Sequence, residues 1–257
     1  LEIDENFSLN DFNENIYKEK NLVFQLDKDK KLAVVINSPK ATGDVIIPSF
    51  INYNSQKYRV SRIGKKAFYC LSINSISFQK DTTLSAISEY AFTKSSLSTL
   101  IIPKSLQTID SRCFYNVNQL PKIEVDPENP FFSIENNLLI FKKKYKEVVF
   151  PLLNINKDLI LQNEIKQIRN FAFLKNNSIQ SLTFSGMDMI KIGVFSFYKC
   201  EKLEKVIFQQ TKAIEIFANS FSESKNINSV EINTNVLLLN ESCFHNCTSL
   251  NSIEFSK

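Results

Sequence analysis

Apolar residues recur along this chain in pairs that are two positions apart, which is the pattern of a β-strand with one buried face. Nine such pairs are found: Val45/Ile47, Ile76/Phe78, Leu100/Ile102, Ile123/Val125, Leu159/Leu161, Leu182/Phe184, Val206/Phe208, Val230/Ile232 and Ile253/Phe255. The steps between their first members are 31, 24, 23, 36, 23, 24, 24 and 23 residues. A repeat of this length predicts a solenoid in which short parallel strands stack side by side.

A second periodic feature is a phenylalanine that follows a small residue. The seven pairs are Ala67-Phe68, Ala91-Phe92, Cys113-Phe114, Ala172-Phe173, Ser196-Phe197, Ser220-Phe221 and Cys243-Phe244. Because a stacked unit buries the same position against its copies, we expect the phenylalanines to form a continuous spine. Each unit is predicted to contain a short parallel strand, a turn, a second extended segment and a short helical turn that carries the small-Phe pair. This is an α/β repeat solenoid.

Two parts of the chain depart from the repeat. Residues 126–156 contain three short apolar runs separated by turn signals, which predicts an inserted β-hairpin unit. Residues 1–42 lack the repeat, and their runs Leu22 to Leu26 and Leu32 to Ile36 predict a β-hairpin that caps the first strand. The expected organisation is an N-terminal capping segment, residues 1–42, followed by a solenoid over residues 43–257, in one continuous domain.

Composition removes most enzyme classes. The 257 residues include 4 Gly, 1 His and no Trp, so a glycine-rich phosphate loop or a histidine-based catalytic centre lacks material. We therefore expect a protein that is not an enzyme, with no catalytic residues, no metal site and no cofactor. The net charge of +4 is too small to predict nucleic-acid binding, and no apolar stretch is long enough for a membrane span.

The five cysteines are predicted to be packing residues. Cys113 and Cys243 hold the small position before Phe, whereas Cys200 and Cys247 hold a mostly small position three residues after it. An odd number of cysteines in a long chain argues against a complete disulfide framework.

Several segments resemble a known repeat family. Residues 63–68 read Ile-Gly-Lys-Lys-Ala-Phe, residues 192–208 repeat this pattern and continue into a strand, and Ile-Ile-Pro stands at 46–48 and 101–103. These segments, together with Asn-Pro-Phe-Phe at 129–132, resemble the BspA-like leucine-rich repeat, and the resemblance covers residues 43–257. It implies a leucine-rich repeat solenoid at the cell surface, or secreted, that acts as an adhesin or antigen and binds host matrix or cell-surface proteins.

The candidate binding surface is the column of residues that lie between the members of each apolar pair, because these side chains point away from the core. The column reads Ile46, Ser77, Ile101, Glu124, Ile160, Thr183, Ile207, Glu231 and Glu254. We hypothesise a protein-binding strand face made by Ile101, Glu124, Ile160, Thr183, Ile207, Glu231 and Glu254. The alternative explanation is that branched residues simply favour exposed strand positions.

Three further interpretations stay open. The run Lys142, Lys143, Lys144 and Lys146 is a solvated hairpin tip or a contact for acidic glycans. The open edge at the ninth strand predicts further repeats or self-association with another copy. Free cysteines suit an intracellular, cytoplasmic interaction scaffold as the alternative to a surface adhesin.

Overall fold

A computed structural model describes residues 15–117, 119–162 and 164–255. These residues form 23 β-strands and contain no α-helix. The chain divides into two compact units, one made of Leu1–Thr108 with Cys113–Gln119 and the other of Ile109–Arg112 with Leu120–Lys257. The expectation of one continuous domain stays a prediction.

The first unit begins with antiparallel strands and continues with parallel ones. Its strands are β1 (Ile16–Glu19), β2 (Leu22–Asp27), β3 (Leu32–Ile36), β4 (Gly43–Ile47), β5 (Phe50–Tyr53), β6 (Gln56–Ile63), β7 (Ile73–Phe78), β8 (Ala86–Ile87) and β9 (Thr99–Ile102), and β10 (Thr108–Ile109) falls where the units divide. The hairpin predicted in the capping segment is present as β2 and β3, which are antiparallel. β3 then pairs in parallel with β6, and β4, β7 and β9 form a separate parallel sheet. Residues 1–14 of the predicted capping segment lie outside the described residues.

The second unit contains two sheets. Its strands are β11 (Lys122–Val125), β12 (Phe132–Glu135), β13 (Leu138–Phe141), β14 (Lys146–Pro151), β15 (Asp158–Gln162), β16 (Ile165–Ile168), β17 (Ser181–Ser185), β18 (Ile190–Ile192), β19 (Lys205–Gln209), β20 (Ala213–Ile216), β21 (Ser229–Ile232), β22 (Asn235–Leu239) and β23 (Ile253–Phe255). We call the parallel sheet β15-β17-β19-β21-β23 the front sheet and the sheet β12-β13-β14-β16-β18-β20-β22 the back sheet. The antiparallel strands β12, β13 and β14 lie inside the predicted inserted unit.

The core between the two sheets is built around the phenylalanine spine, as predicted. In the second unit the ring centroids of Phe173 and Phe197 are 4.7 Å apart, those of Phe197 and Phe221 5.0 Å, and those of Phe221 and Phe244 5.1 Å, with nearly parallel planes. A shorter stack in the first unit joins Phe68 to Phe92 at 5.8 Å. Identical rings at one position of each repeat can stack face on face, which explains why the position does not vary in size.

The prediction of short helical turns was wrong, because the described residues contain no helix at these positions. The predicted α/β class is therefore corrected to an all-β solenoid. Two residues in most turns have left-handed backbone, one two positions before Phe and one two positions after it. In the turn around Phe197 these are Phe195, with φ 53°, and Lys199, with φ 55°. An α-helix needs consecutive right-handed residues, so a left-handed residue at every fourth position prevents it.

Alternate backbone N–H groups of the turn bond to the next repeat, whereas those between them, on Ser196 and Tyr198, bond within the turn to the carbonyls of Gly193 and Phe195. The N–H groups of Phe195, Phe197 and Lys199 donate to the carbonyls of Ala218, Ser220 and Ser222 at 3.3, 2.7 and 3.1 Å. The turns before and after this one repeat the arrangement within the second unit. We call these hydrogen bonds the turn ladder. It runs in the same direction as the two sheets and satisfies donors that a helix would have used.

The small position after Phe adds a side-chain bond between repeats. The Cys200 thiol and the Ser224 hydroxyl donate to the carbonyls of Phe173 and Phe197 in the preceding repeat, at 3.1 and 2.7 Å. Cys247 donates to the carbonyl of Phe221 at 3.2 Å, and its burial raises the pKa of the thiol to about 11. These two cysteines are therefore buried, protonated packing groups.

Candidate functional site

The outward residues of the front sheet form one row. Neighbouring strands of this sheet are parallel and in register, so Ile160 pairs with Thr183, Thr183 with Ile207, Ile207 with Glu231, and Glu231 with Glu254. We call these five residues the outer row. The strands alternate buried and outward positions because successive side chains point to opposite faces, and the inward residues, such as Leu182 and Val206, are fully buried.

The outer row is apolar at one end and acidic at the other. Ile160 is 53% exposed and Ile207 is half-buried, whereas Thr183 between them is only 9% exposed. A residue flanked on both sides by larger outward side chains is covered by them, so Thr183 supports the row without offering much contact surface. Glu231 is half-buried and Glu254 is exposed.

Polar groups beside the outer row are linked between strands. The Lys205 ammonium lies 2.6 Å from the Glu231 carboxylate, and the Ser181 hydroxyl donates to Asp158 at 2.8 Å. Both members of the ion pair are partly exposed, so the pair stabilises the fold by at most about 1 kcal/mol. Counting Asp158, Glu231 and Glu254 against Lys205, this surface carries more negative than positive charge.

The structure brings together five of the seven predicted face residues. Ile101 is 41% exposed on β9 in the first unit, where Ile46 on β4 is 60% exposed. Glu124 lies on β11, outside the front sheet, and pairs with Lys122 at 2.6 Å. The alternating pattern identified the direction of these side chains, but the coverage of Thr183 depends on residues more than twenty positions away.

A second surface feature was only partly visible in the sequence. Lys142, Lys144 and Lys146 of the basic run line a shallow groove together with Glu164, Lys166 and Asp188. The run itself is evident in the sequence, whereas Asp188 is brought to it by the fold. No group of three or more metal-binding side chains occurs in the part of the chain that the structure describes. The described residues also include no helix that is long and apolar enough to cross a membrane.

Comparison with known proteins identifies similar repeats and similar structures. The pattern of the BspA type leucine-rich repeat region matches residues 50–158 and 143–257, with 6 copies. The crystal structure of the pneumococcal vaccine antigen PcpA is 17% identical, with 95% of this chain and 82% of that chain covered and a TM-score of 0.60. A leucine-rich cell surface protein from Faecalibacterium prausnitzii A2-165 is 15% identical, with 94% and 95% covered and a TM-score of 0.48. The likeness to PcpA shows a shared fold, and no curated protein matches the sequence.

Proposed function

Because the chain belongs to the BspA type leucine-rich repeat family, we propose that it is a protein-binding solenoid without enzymatic activity. The partner is a host matrix or cell-surface protein, and the outer row of the front sheet is the contact surface. In-register strands hold this row in a fixed geometry, so little conformational entropy is lost on binding.

The observation that carries this proposal is the exposure of isoleucine in a regular, ion-paired surface. Ile160 is 53% exposed although the fold does not need an apolar residue there, since other strands of the front sheet place Glu231 and Glu254 in the same row. Covering such a side chain in a complex contributes roughly 1 kcal/mol or more. Apolar anchors surrounded by polar groups are typical of the centres of protein interfaces.

The proposed location is the cell surface or the extracellular medium. The motif resemblance supports it, and the similar fold of a vaccine antigen is in keeping with it. The second candidate is an intracellular interaction scaffold, which is favoured by one observation: Cys70, Cys200, Cys243 and Cys247 form no disulfide bond among the described residues. Surface biotinylation of intact source cells separates the two, because an intracellular scaffold stays unlabelled until the cells are lysed.

Self-association through the C-terminal strand edge is a further part of the proposal. Leu237 on β22 is 60% exposed and Phe255 on β23 is 63% exposed, so both sheets of the second unit carry exposed apolar side chains at this end. Light scattering of the purified chain tests it, and a monomer at high concentration would contradict it.

The binding face is tested with a panel of immobilised, purified extracellular-matrix proteins and surface plasmon resonance. We expect the double variant Ile160→Lys/Ile207→Lys to weaken binding at least about tenfold, because two apolar anchors become charged. The matched control is Ile134→Lys on β12 of the back sheet, where the isoleucine is 40% exposed. Unchanged binding of the double variant, or an equal loss in the control, would remove the outer row as the contact surface. If the wild-type chain binds none of the panel, the proposal of a matrix partner is wrong.

A further inference from the structure

The groove beside the turn between β13 and β14 has the chemistry of a ligand site. It has a volume of about 580 Å³, and its lining includes four lysines: Lys142, Lys144, Lys146 and Lys166. Two carboxylates, Glu164 and Asp188, and one aromatic residue, Tyr145, also line it. None of the residues in the outer row takes part, so this site does not rest on the proposed function.

The strand register builds the groove from separate parts of the second unit. β14 and β16 are parallel, and the pairing of Lys146 with Ile165 places Glu164 and Lys166 beside Lys146. Asp188 lies in the loop between β17 and β18, next to Met187, which is only 1% exposed. The hairpin turn that holds the other lysines is fixed by the Lys142 N–H group, which donates to the carbonyl of Phe131 at 2.9 Å.

The two carboxylates of the groove already have cationic partners. Lys146 Nζ lies 2.6 Å from Glu164 and 2.8 Å from Glu135, and Lys212 Nζ lies 2.7 Å from Asp188. The hydrogen bonds from these lysines lower the pKa of Glu164 and of Asp188, so both stay ionised at neutral pH.

Positive charge remains in excess at the turn. Lys142 and Lys144 are exposed, and within the described ranges neither ammonium lies at ion-pair distance from a carboxylate. Their three donors each are free to bind the anionic groups of a ligand.

We propose that this groove binds an acidic carbohydrate, an oligosaccharide that carries sulfate or uronic acid groups. The acid groups accept hydrogen bonds from Lys142 and Lys144, and sugar hydroxyls donate to the oxygens of Glu164 and Asp188. The Tyr145 ring, which is 39% exposed, packs against the apolar face of a sugar ring. A single-stranded nucleic acid fits less well, because proteins that bind it use several aromatic side chains on which successive bases stack, and the lining of this groove contains one, Tyr145.

The ligand class is tested by isothermal titration calorimetry with the full chain. The probes are a heparin-derived hexasaccharide, a hyaluronan hexasaccharide, a neutral dextran fragment and a single-stranded DNA oligonucleotide. We expect at least one acidic hexasaccharide to bind and the neutral fragment not to bind. Absence of binding by both acidic hexasaccharides, or tighter binding by the oligonucleotide, would overturn the proposal.

The site is tested with charge-matched variants. Lys142→Gln/Lys144→Gln removes two ammonium groups from the groove, and Lys202→Gln/Lys225→Gln removes two exposed ones elsewhere in the second unit. We expect about a tenfold loss of hexasaccharide affinity in the first variant and less than about twofold in the second, because charge-assisted hydrogen bonds are lost only in the groove. An equal loss in both variants would show attraction by net charge alone and overturn the assignment.

A third variant separates sugar contact from charge. Tyr145→Ser keeps the net charge, and we expect it to weaken hexasaccharide binding about threefold or more through lost packing against the sugar ring. An unchanged affinity would contradict the proposed role of the aromatic ring. Far-UV circular dichroism checks that all these variants fold, which we expect because the substituted side chains are exposed.

Discussion

The front and back sheets of the second unit cover one core but present different surfaces. On the back sheet, Lys191 and Glu215 face each other on neighbouring strands at 2.8 Å, and Arg169 pairs with Glu147. On the front sheet, Ile160 and Ile207 occupy outward positions in the row that also holds Glu231, which pairs with Lys205. The inward residues of both sheets are alike, so stacking does not account for the difference. The requirements of the core therefore do not fix the outward residues of either sheet.

The comparison of the two sheets assumes that they share one core. A substitution in that core tests this assumption and should have the largest effect on stability. Phe197 stacks on Phe173 and on Phe221 and is fully buried. We expect Phe197→Ala to lower the free energy of unfolding by about 3–5 kcal/mol through lost burial and a residual cavity. Urea unfolding followed by far-UV circular dichroism measures it, which suits a chain without tryptophan.

The control for this variant is Phe244→Ala. Phe244 is only partly buried and stacks on Phe221, so a clearly smaller loss is expected. Equal losses at the two positions would mean that the spine does not act as one continuous stack, and the comparison of the sheets would fail with it.

A smaller effect is expected at the turns, which lie outside both sheets. Lys199 has φ 55°, a conformation that costs a residue with a Cβ roughly 1–2 kcal/mol. We expect Lys199→Gly to raise the free energy of unfolding by about 0.5–1 kcal/mol and Lys199→Val to lower it by about 1–2 kcal/mol. Thermal or urea unfolding gives both values. A stabilising Val would show that the turn adopts another backbone conformation in solution.

The smallest effect concerns the ion pairs of the back sheet. Side chains of Lys191 and Glu215 are 45% and 19% exposed, so a double-mutant cycle with Lys191→Ala and Glu215→Ala should give a coupling of about 0.2–1 kcal/mol. The coupling should fall as salt concentration rises. Neither substitution should change binding to a matrix protein that the outer row recognises. A loss of binding here would erase the distinction between the two surfaces.

Periodicity predicted the strands that carry the nine apolar pairs and the phenylalanine spine, but it did not predict that these strands divide between two sheets. The turn was mispredicted because a small residue next to Phe suits a helical turn and a left-handed turn equally well. The deciding interaction is the turn ladder, such as the bond from Phe197 N–H to Ser220 C=O, which joins residues of different repeats. The left-handed positions could not be recognised in the sequence, because they are occupied by residues such as Phe195 and Lys199 and not by glycine, which favours this conformation.

The candidate sites could be predicted only where they depend on residues close together in the sequence, and not where they depend on contacts between repeats. The direction of Ile160 follows from alternation within one strand, whereas the burial of Thr183 depends on its neighbours in the sheet. The lysine run at 142–146 is visible as a run, but its groove needs Asp188, which only the stacking of repeats places there.

In the turn ladder and in both sheets, partner residues of neighbouring repeats are separated by nearly the same number of residues along the chain. Front-sheet partners Lys205 and Ser229 are 24 residues apart, as are spine partners Phe197 and Phe221. Deleting one whole repeat from the middle of the stack therefore lets every strand and every turn find an equivalent new neighbour, whereas deleting a single residue misaligns its repeat against both neighbours. Genes for such proteins can thus lengthen or shorten by duplication and loss of entire repeats, and the width of the front sheet can evolve without redesign of the core.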